Sequence, residues 1–588
     1  MTSALPAPDS PRDTPPRLAR WLPLAALALA LAAAVFWFWP RPGNSGAYDL
    51  GTFRALPVLY EGRIMPYESV ARTALLTLRG RQSISLDGHS VDPMAWLLDT
   101  LARPDIGQTY PVFRIDDPDV RSLLDPRDDK QVYFSFNEIL AHREQLGQQI
   151  TQAQARPDSE RNLYQKHLVD LDSQIATFVG LAQLATAYPL PPDAQHPQWQ
   201  SVEDLAAAHK KAGAAPGPAF TLFGSIIMGW NEQNPQKFNR SVQGFAQLLA
   251  QTQPQAVEHA RIEAALVRAE PFIFAMEVYV AVFLIVCISW LVKGPWARGL
   301  LTAAFALAIL ALLVHTTALG VRMYLQGRPP VTNLYASAIF VGWGSVVLAL
   351  ILEAIYRNGV GAQIAGVIGF LSLIVAHHLA SGDTMEAVRA VLDSNFWLST
   401  HVVTITIGYA STFLAGFLGI LYIVRRLIPG SLDEETGQSI ARMIYGIVCF
   451  AMLFSFVGTI LGGIWADQSW GRFWGWDVKE NGALMIVLWN AIILHARWGK
   501  MIRQRGLAVL AVGGNIITAW AWFGVNMLGV GLHSYGFMQK ALWWLGVFVA
   551  SQLVIMGLGL IEMAPAEPVK EPTGPDEPRG RLADAGGG

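Results

Sequence analysis

Apolar positions along this chain fall into two regimes. An apolar run from Trp21 to Trp39 is followed by a stretch of mixed polarity from about 40 to 270, and after Pro271 the apolar density stays high to about residue 562. Within that second half, runs long enough to cross a bilayer as helices lie at roughly 272–292, 297–317, 331–355, 361–380, 400–424, 441–463, 481–499, 506–527 and 541–562. The expected fold class is mainly α: a polytopic helical membrane protein with about ten transmembrane helices and a largely helical extracytoplasmic N-terminal domain. The expected domains are a cytoplasmic segment 1–20, an anchor 21–39, an extracytoplasmic domain 40–270, a membrane domain 271–562 and a disordered cytoplasmic tail 563–588.

In the 40–270 stretch, apolar residues recur at helical spacing over Val132–Gln154 and Glu160–Tyr188. Pro157 separates the two segments, which predicts a helical hairpin. Its six histidines, His89, His142, His167, His196, His209 and His259, are scattered among polar residues and read as solvated surface groups. The Trp21–Trp39 run ends in Val-Phe-Trp-Phe-Trp-Pro rather than in small residues, which favours an uncleaved anchor over a signal peptide.

Apolar residues make up 52% of the chain and charged residues 15%, which points to the membrane rather than to several soluble cores. The net charge of −2 gives no footprint for a nucleic-acid partner. Both cysteines, Cys287 and Cys449, lie inside apolar runs, so the chain offers no disulfide framework, CxxC pair or c-type haem attachment site. Any thiol chemistry belongs to a partner. Positive charge is retained in cytoplasmic loops; Arg12, Arg17 and Arg20, then Lys293 and Arg298, Arg357, Arg425 and Arg426, and Arg497 to Arg505 fall on one side if every run crosses. The loops around 318–330, 381–399 and 528–540 then face the opposite side, with Arg322 and Arg328 as exceptions to the charge rule.

On that opposite side lies Trp465-Ala-Asp-Gln-Ser-Trp-Gly-Arg-Phe-Trp-Gly-Trp-Asp-Val-Lys-Glu480, with four tryptophans and five charged residues between two apolar runs. Interface anchoring explains one or two indoles; this density suits a flat aromatic ligand with acidic groups. His401 opens the sixth apolar run, counting Trp21–Trp39 as the first, at the same boundary, and His533 sits in the loop Gly529–Gly536. Ionisable residues beside a membrane span are by default functional candidates, and two imidazoles flanking an aromatic platform suit the axial positions of a haem iron. Arg322, Arg328 and Arg472 could pair with its propionates. His495 lies fifteen residues past Glu480, about 22 Å deeper along a helix; a second haem site and a simple interface position both remain open for it. His315, His377 and His378 read as structural.

These segments resemble the CcsA/ResC cytochrome c biogenesis proteins of the haem-handling "WWD" group, which also includes CcmF-type proteins. The residues that carry the resemblance are Gly463–Ala466, Trp470–Asp477, Lys479-Glu480, Leu494–Arg497, Gly531–Tyr535, His401 with Tyr409-Ala410, and Gly327–Tyr335. The resemblance implies that His401 and His533 ligate haem b outside the cytoplasm. It further implies that Trp465, Trp470, Trp474, Trp476 and Asp477 form the platform, with Arg472 and Arg328 nearby, and that His495 marks the haem entry path. It implies transport or presentation of haem and its thioether attachment to CxxCH apocytochromes c, as a component of a holocytochrome c synthase. The implied partners are a CcsB/ResB-like membrane protein supplying a second ligand at the His495 site, apocytochrome c and a thiol-reducing protein; the implied location is the cytoplasmic membrane. The chain departs from the pattern at Val478, Gly482 and Ala336, where the family commonly has proline, tryptophan and glutamate. Phe53–Tyr67 resembles an extension fused to some CcsA proteins. From the residues alone, a transporter or quinone-linked protein with a tryptophan gate and proton-relaying histidines is the rival reading.

Overall fold

The computed structural model describes residues 17–561 except 40–45, 87, 129, 195, 213–216, 389 and 526–538. His533 therefore lies outside the described residues. The chain is mainly α and builds two hydrophobic cores, one from Phe53 to Leu249 and one from Ala275 to Leu545.

In the first core, short strands are scattered among helices. Pro57–Tyr60 and Arg63–Pro66 form a hairpin through Glu61 and Gly62, both at positive φ, and Ala187–Tyr188 pairs with the same hairpin. The expected helix over Val132–Gln154 starts later. Tyr133–Phe134 is a strand paired with Phe113–Arg114, and helix begins at Phe136, where Ser135 and Glu138 close a capping box. It is interrupted at His142 before Arg143–Gln154. Leu163–Ala182 packs back against Arg143–Gln154, so the hairpin exists in shortened form, and Ala187–Tyr188 leaves it as strand.

Among the described residues nine helices are long and apolar enough to cross a membrane, from Trp21–Phe38 to Leu542–Leu560. Val478–Trp498 is not one of them, because Lys479, Glu480, Asn481, Asn490 and His495 dilute its apolar run, although it packs within the same bundle. The N-terminal helix Arg17–Phe38 lies against Pro295–Gln326, and the Trp37 indole donates to the Ala269 carbonyl at 2.8 Å. Glu270, in the left-handed region at φ 44°, separates Pro254–Ala269 from Pro271–Ser289, so the two helices meet at a sharp joint.

Two groups of helices follow. Pro271–Ser289, Pro295–Gln326, Leu334–Tyr356 and Val360–Leu379 pack on one another; Val403–Leu427 then packs on Leu334–Tyr356, Glu434–Trp470 and Gln504–Ala519. Buried Glu353 accepts the backbone N–H groups of Gly359, Gly361 and Ala362 at 2.9, 3.0 and 3.3 Å, satisfying the first turn of Val360–Leu379. Among the described residues two π-helical turns interrupt the bundle, Leu398–Val402 and Trp520–Gly524, and π turns concentrate at functional sites.

Candidate functional site

His401 sits inside the first π turn. Its Nδ1 lies 2.8 Å from the Gly458 carbonyl on the Glu434–Trp470 helix. A carbonyl only accepts, so Nδ1 carries the proton and Nε2 keeps the lone pair that a metal would use. Gly462, one turn beyond Gly458, presents its bare backbone to the ring: a Cβ there would fall 2.6 Å from His401 Cε1. Gly458 in turn lets Ile405 close in, since its Cβ would fall 2.8 Å from the Ile405 Cα. Small residues at this spacing are what allow two membrane helices to approach closely.

The imidazole meets the edge of Trp465 at 5.8 Å between ring centroids, and Trp465 stacks on Trp397 at 6.3 Å with planes 12° apart. Trp397 precedes His401 by four residues, one helical turn. Sequence reasoning missed Trp397, Gly458 and Gly462, although a Trp-x-x-x-His spacing and a small-x-x-x-small pair were both readable.

Beyond Trp465 the helix runs to Trp470 and stops at Gly471, in the left-handed region at φ 69°. Phe473 folds back under Gly463, where a Cβ would collide with its ring at 2.6 Å. Trp474 and Trp476 meet edge to face at 6.1 Å, and Trp476 is 70% exposed at φ 56°. A bulky residue held in the left-handed region costs free energy and needs support. Glu480 provides it: one carboxylate oxygen accepts from the Gly475 N–H at 2.8 Å and the Asp477 N–H at 3.1 Å. Asp477 completes a capping box with Glu480. Arg472 is exposed and makes no ion pair among the described residues.

Lys479 Nζ donates to the Ala521 and Trp522 carbonyls at 3.3 and 3.2 Å. It ties the tryptophan segment to the second π turn, the last described turn before His533. Gly482 approaches the Ala521 Cα, where a Cβ would lie at 3.0 Å, so a tryptophan at 482 would not fit this packing.

Arg322 and Arg328 each have an in-chain partner. Arg322 is buried, donates to Thr384 Oγ1 and O at 3.0 and 2.7 Å, and lies over the Tyr335 ring. Arg328 pairs with Asp393 and reaches Asn395 at 3.5 Å. His495 is exposed near the far end of Val478–Trp498, in a stripe with Met485, Leu488 and Ile492. His315 is fully buried, edge-on to Phe272 and Tyr279, whereas His377 and His378 are exposed at the end of their helix. These last two line a cleft of about 1070 Å³ between the N-terminal core and the membrane helices, whose walls include Arg322 but neither His401, His495 nor the tryptophan segment.

A membrane bundle with a tryptophan-rich turn next to a tautomer-locked histidine defines a class, and comparison identifies it. Residues 331–533 match the model of the cytochrome C assembly protein family. The cytochrome c biogenesis protein CcsA of Prochlorococcus marinus (strain NATL2A) is 30% identical over 289 residues, 43% of this chain and 90% of that protein. CcsA of Synechococcus sp. (strain CC9902) is 29% identical over 301 residues, 45% and 98% respectively. The chain belongs to the CcsA family of cytochrome c biogenesis proteins. The protein NrfI of Wolinella succinogenes is 26% identical over 499 residues, covering 81% of this chain and 53% of NrfI. That reach exceeds what the membrane helices and both termini supply, so the likeness includes part of the N-terminal core.

Proposed function

We propose that this protein binds haem on the extracytoplasmic side of the cytoplasmic membrane and promotes its thioether attachment to CxxCH apocytochromes c. The observation that carries this reading is His401. Its Nδ1–H is committed to the Gly458 carbonyl, which leaves Nε2 as the nitrogen that carries the lone pair a metal would use, and its ring lies beside the Trp465–Trp397 stack. His533 is the second axial ligand in this reading.

Trp470, Trp474, Trp476 and Asp477 form the platform, and Arg472, which makes no ion pair among the described residues, is the better placed propionate partner; Arg328 would first have to leave Asp393. The chain's residues position and orient; the vinyl groups of haem, once bound, supply the reactivity. Haem is substrate here, passed to the client.

His495 is the entry station. Its exposure among apolar side chains suits a partner helix that contributes the second ligand, which makes a CcsB/ResB-like membrane protein the expected partner. Cys287 and Cys449 are both free and sit within membrane helices, so reduction of the client cysteines falls to a separate thiol-reducing protein. The orientation follows the basic loops and places the N-terminal core outside the cytoplasm.

The test is maturation of a c-type cytochrome in cells that depend on this chain, with His401→Ala and His533→Ala. Loss of holocytochrome in both, at normal membrane levels, supports the reading; normal maturation in both refutes the outer site.

A further inference from the structure

The N-terminal core meets the membrane bundle at a buried ion cluster. Arg63 opens the second strand of the Pro57–Pro66 hairpin. Its guanidinium donates to both oxygens of Glu263 at 2.8 and 2.9 Å, and to both oxygens of Asp383 at 2.5 and 2.9 Å. The two carboxylates are almost fully buried, with side-chain exposures of 4% and 7%. Burial works against the charge on Arg63, but the two bonded carboxylates outweigh it and hold the guanidinium charged more firmly than usual. Ser69 adds a hydroxyl bond to Glu263 at 2.6 Å.

Asp383 is not part of the N-terminal core. It lies in the connection between the Val360–Leu379 helix and Asn395, where the path to His401 begins. That connection is pinned at both ends. At its start, Asp383 also accepts the Met385 N–H at 2.9 Å, while Thr384 is held by Arg322 and by Asn333 at 3.0 Å. At its end, Arg328 holds Asp393, and Asn395 donates to the Gly327 carbonyl at 3.2 Å. Ser394 then caps the turn that carries Trp397, which stacks on Trp465 beside His401.

We propose that Arg63 is a positioning residue for His401: the N-terminal core, through the Arg63 clamp on Asp383, sets the entry of the His401 helix and with it the ligation of haem iron. The inference rests on the haem reading of His401. Groups hydrogen-bonded to a metal ligand typically change affinity by about 10- to 100-fold when removed, and the clamp acts on His401 at a further remove, so the low end of that range is expected. Without Arg63, Glu263 and Asp383 lose the guanidinium bonded to both and keep only the charge of nearby Arg322, so the pair relaxes by moving one carboxylate toward water. The mobile partner is Asp383, on the connection rather than on a helix. Its departure removes one of the pins on the connection that leads to Trp397 and His401, with the Thr384 and Asp393 contacts left to hold the rest.

The experiment compares the full-length protein, purified in detergent after expression with ample haem, as wild type, His401→Ala, Arg63→Met, Asp383→Asn and the Arg63→Met/Asp383→Asn double variant. Haem per protein and the reduced spectrum are read before and after addition of free imidazole. Expected is a loss of haem of about tenfold in each clamp variant, with bis-imidazole bands weakened and restored by imidazole, and no larger loss in the double variant. Should Arg63→Met fail to accumulate, the isosteric Asp383→Asn carries the test. Wild-type bands that respond to His401→Ala but not to Asp383→Asn overturn the positioning role alone. Lower protein levels with an unchanged spectrum per haem show a merely structural clamp and overturn it too. A colourless wild type overturns both this inference and the haem reading.

Discussion

Replacing Gly462 by alanine perturbs His401 without altering it. The new Cβ would lie 2.6 Å from His401 Cε1, 3.1 Å from Nδ1 and 3.2 Å from Nε2. Ordinary carbon contacts begin near 3.5 Å, so the ring must withdraw by about 1 Å. Its bond to the Gly458 carbonyl is 2.8 Å long and comes from the same helix, so the withdrawal carries it beyond hydrogen-bonding range. Losing the bond costs about 1 kcal/mol, whereas alanine favours a helix interior over glycine by about 1 kcal/mol. The two nearly cancel, so thermal stability should change little. Function should not escape, because a misplacement of about 1 Å in a reacting constellation lowers rates by about 10²-fold. Gly446→Ala on the same helix is the control, since its Cβ would meet nothing within 4 Å. Melting of the purified protein and haem staining of a matured c-type cytochrome read the two effects separately. Wild-type maturation and an unchanged haem spectrum in Gly462→Ala would refute the packing argument.

Trp476→Gly removes an exposed indole from a left-handed position, relieving about 1 kcal/mol of backbone strain; the melting temperature should hold or rise while haem retention falls, and retention equal to wild type would remove Trp476 from the platform. Glu480→Ala removes the acceptor of two backbone N–H groups and about 1 kcal/mol of capping; chymotrypsin should then cut at Trp474 or Trp476 faster, and an unchanged cleavage rate would contradict the support assigned to Glu480. Glu138 tests the N-terminal core by pH. Burial pushes its carboxyl up, but bonds from Ser135 and Gln131 and the Arg127 charge prevail and hold it below the usual carboxylate range. Its stabilisation is therefore present at neutral pH and lost as pH falls through the depressed value. Glu138→Gln should cost about 1 kcal/mol at pH 7, and its gap to wild type in urea unfolding should close below about pH 4; a gap independent of pH would contradict the assignment.

The spans were legible because a bilayer demands about twenty apolar residues in a row. Val478–Trp498 shows the limit of that signal: Lys479 and Glu480 brace the tryptophan turn and Asn490 bonds Thr412 within the bundle, so the run is helical but diluted. The start of the Val132–Gln154 helix was misread because Tyr133–Phe134 is claimed by Phe113–Arg114, a distant pairing that overrides local spacing. At the site, the tryptophans and His401 announce themselves by residue type. Gly458 and Gly462 do so only by their small-x-x-x-small spacing, which marks a close helix approach without saying which side chain it receives. The partners of Arg322 and Arg328 lie 62 and 65 residues away, across a helical pair, and no pattern in the sequence joins them.

The most direct test of the central claim is the reduced absorption spectrum of the detergent-purified protein, alone and as His401→Ala and His533→Ala. The account predicts a bis-imidazole haem spectrum in the wild type that is lost or altered in both variants. A colourless wild-type protein, expressed with ample haem and a CcsB-like partner, would contradict it.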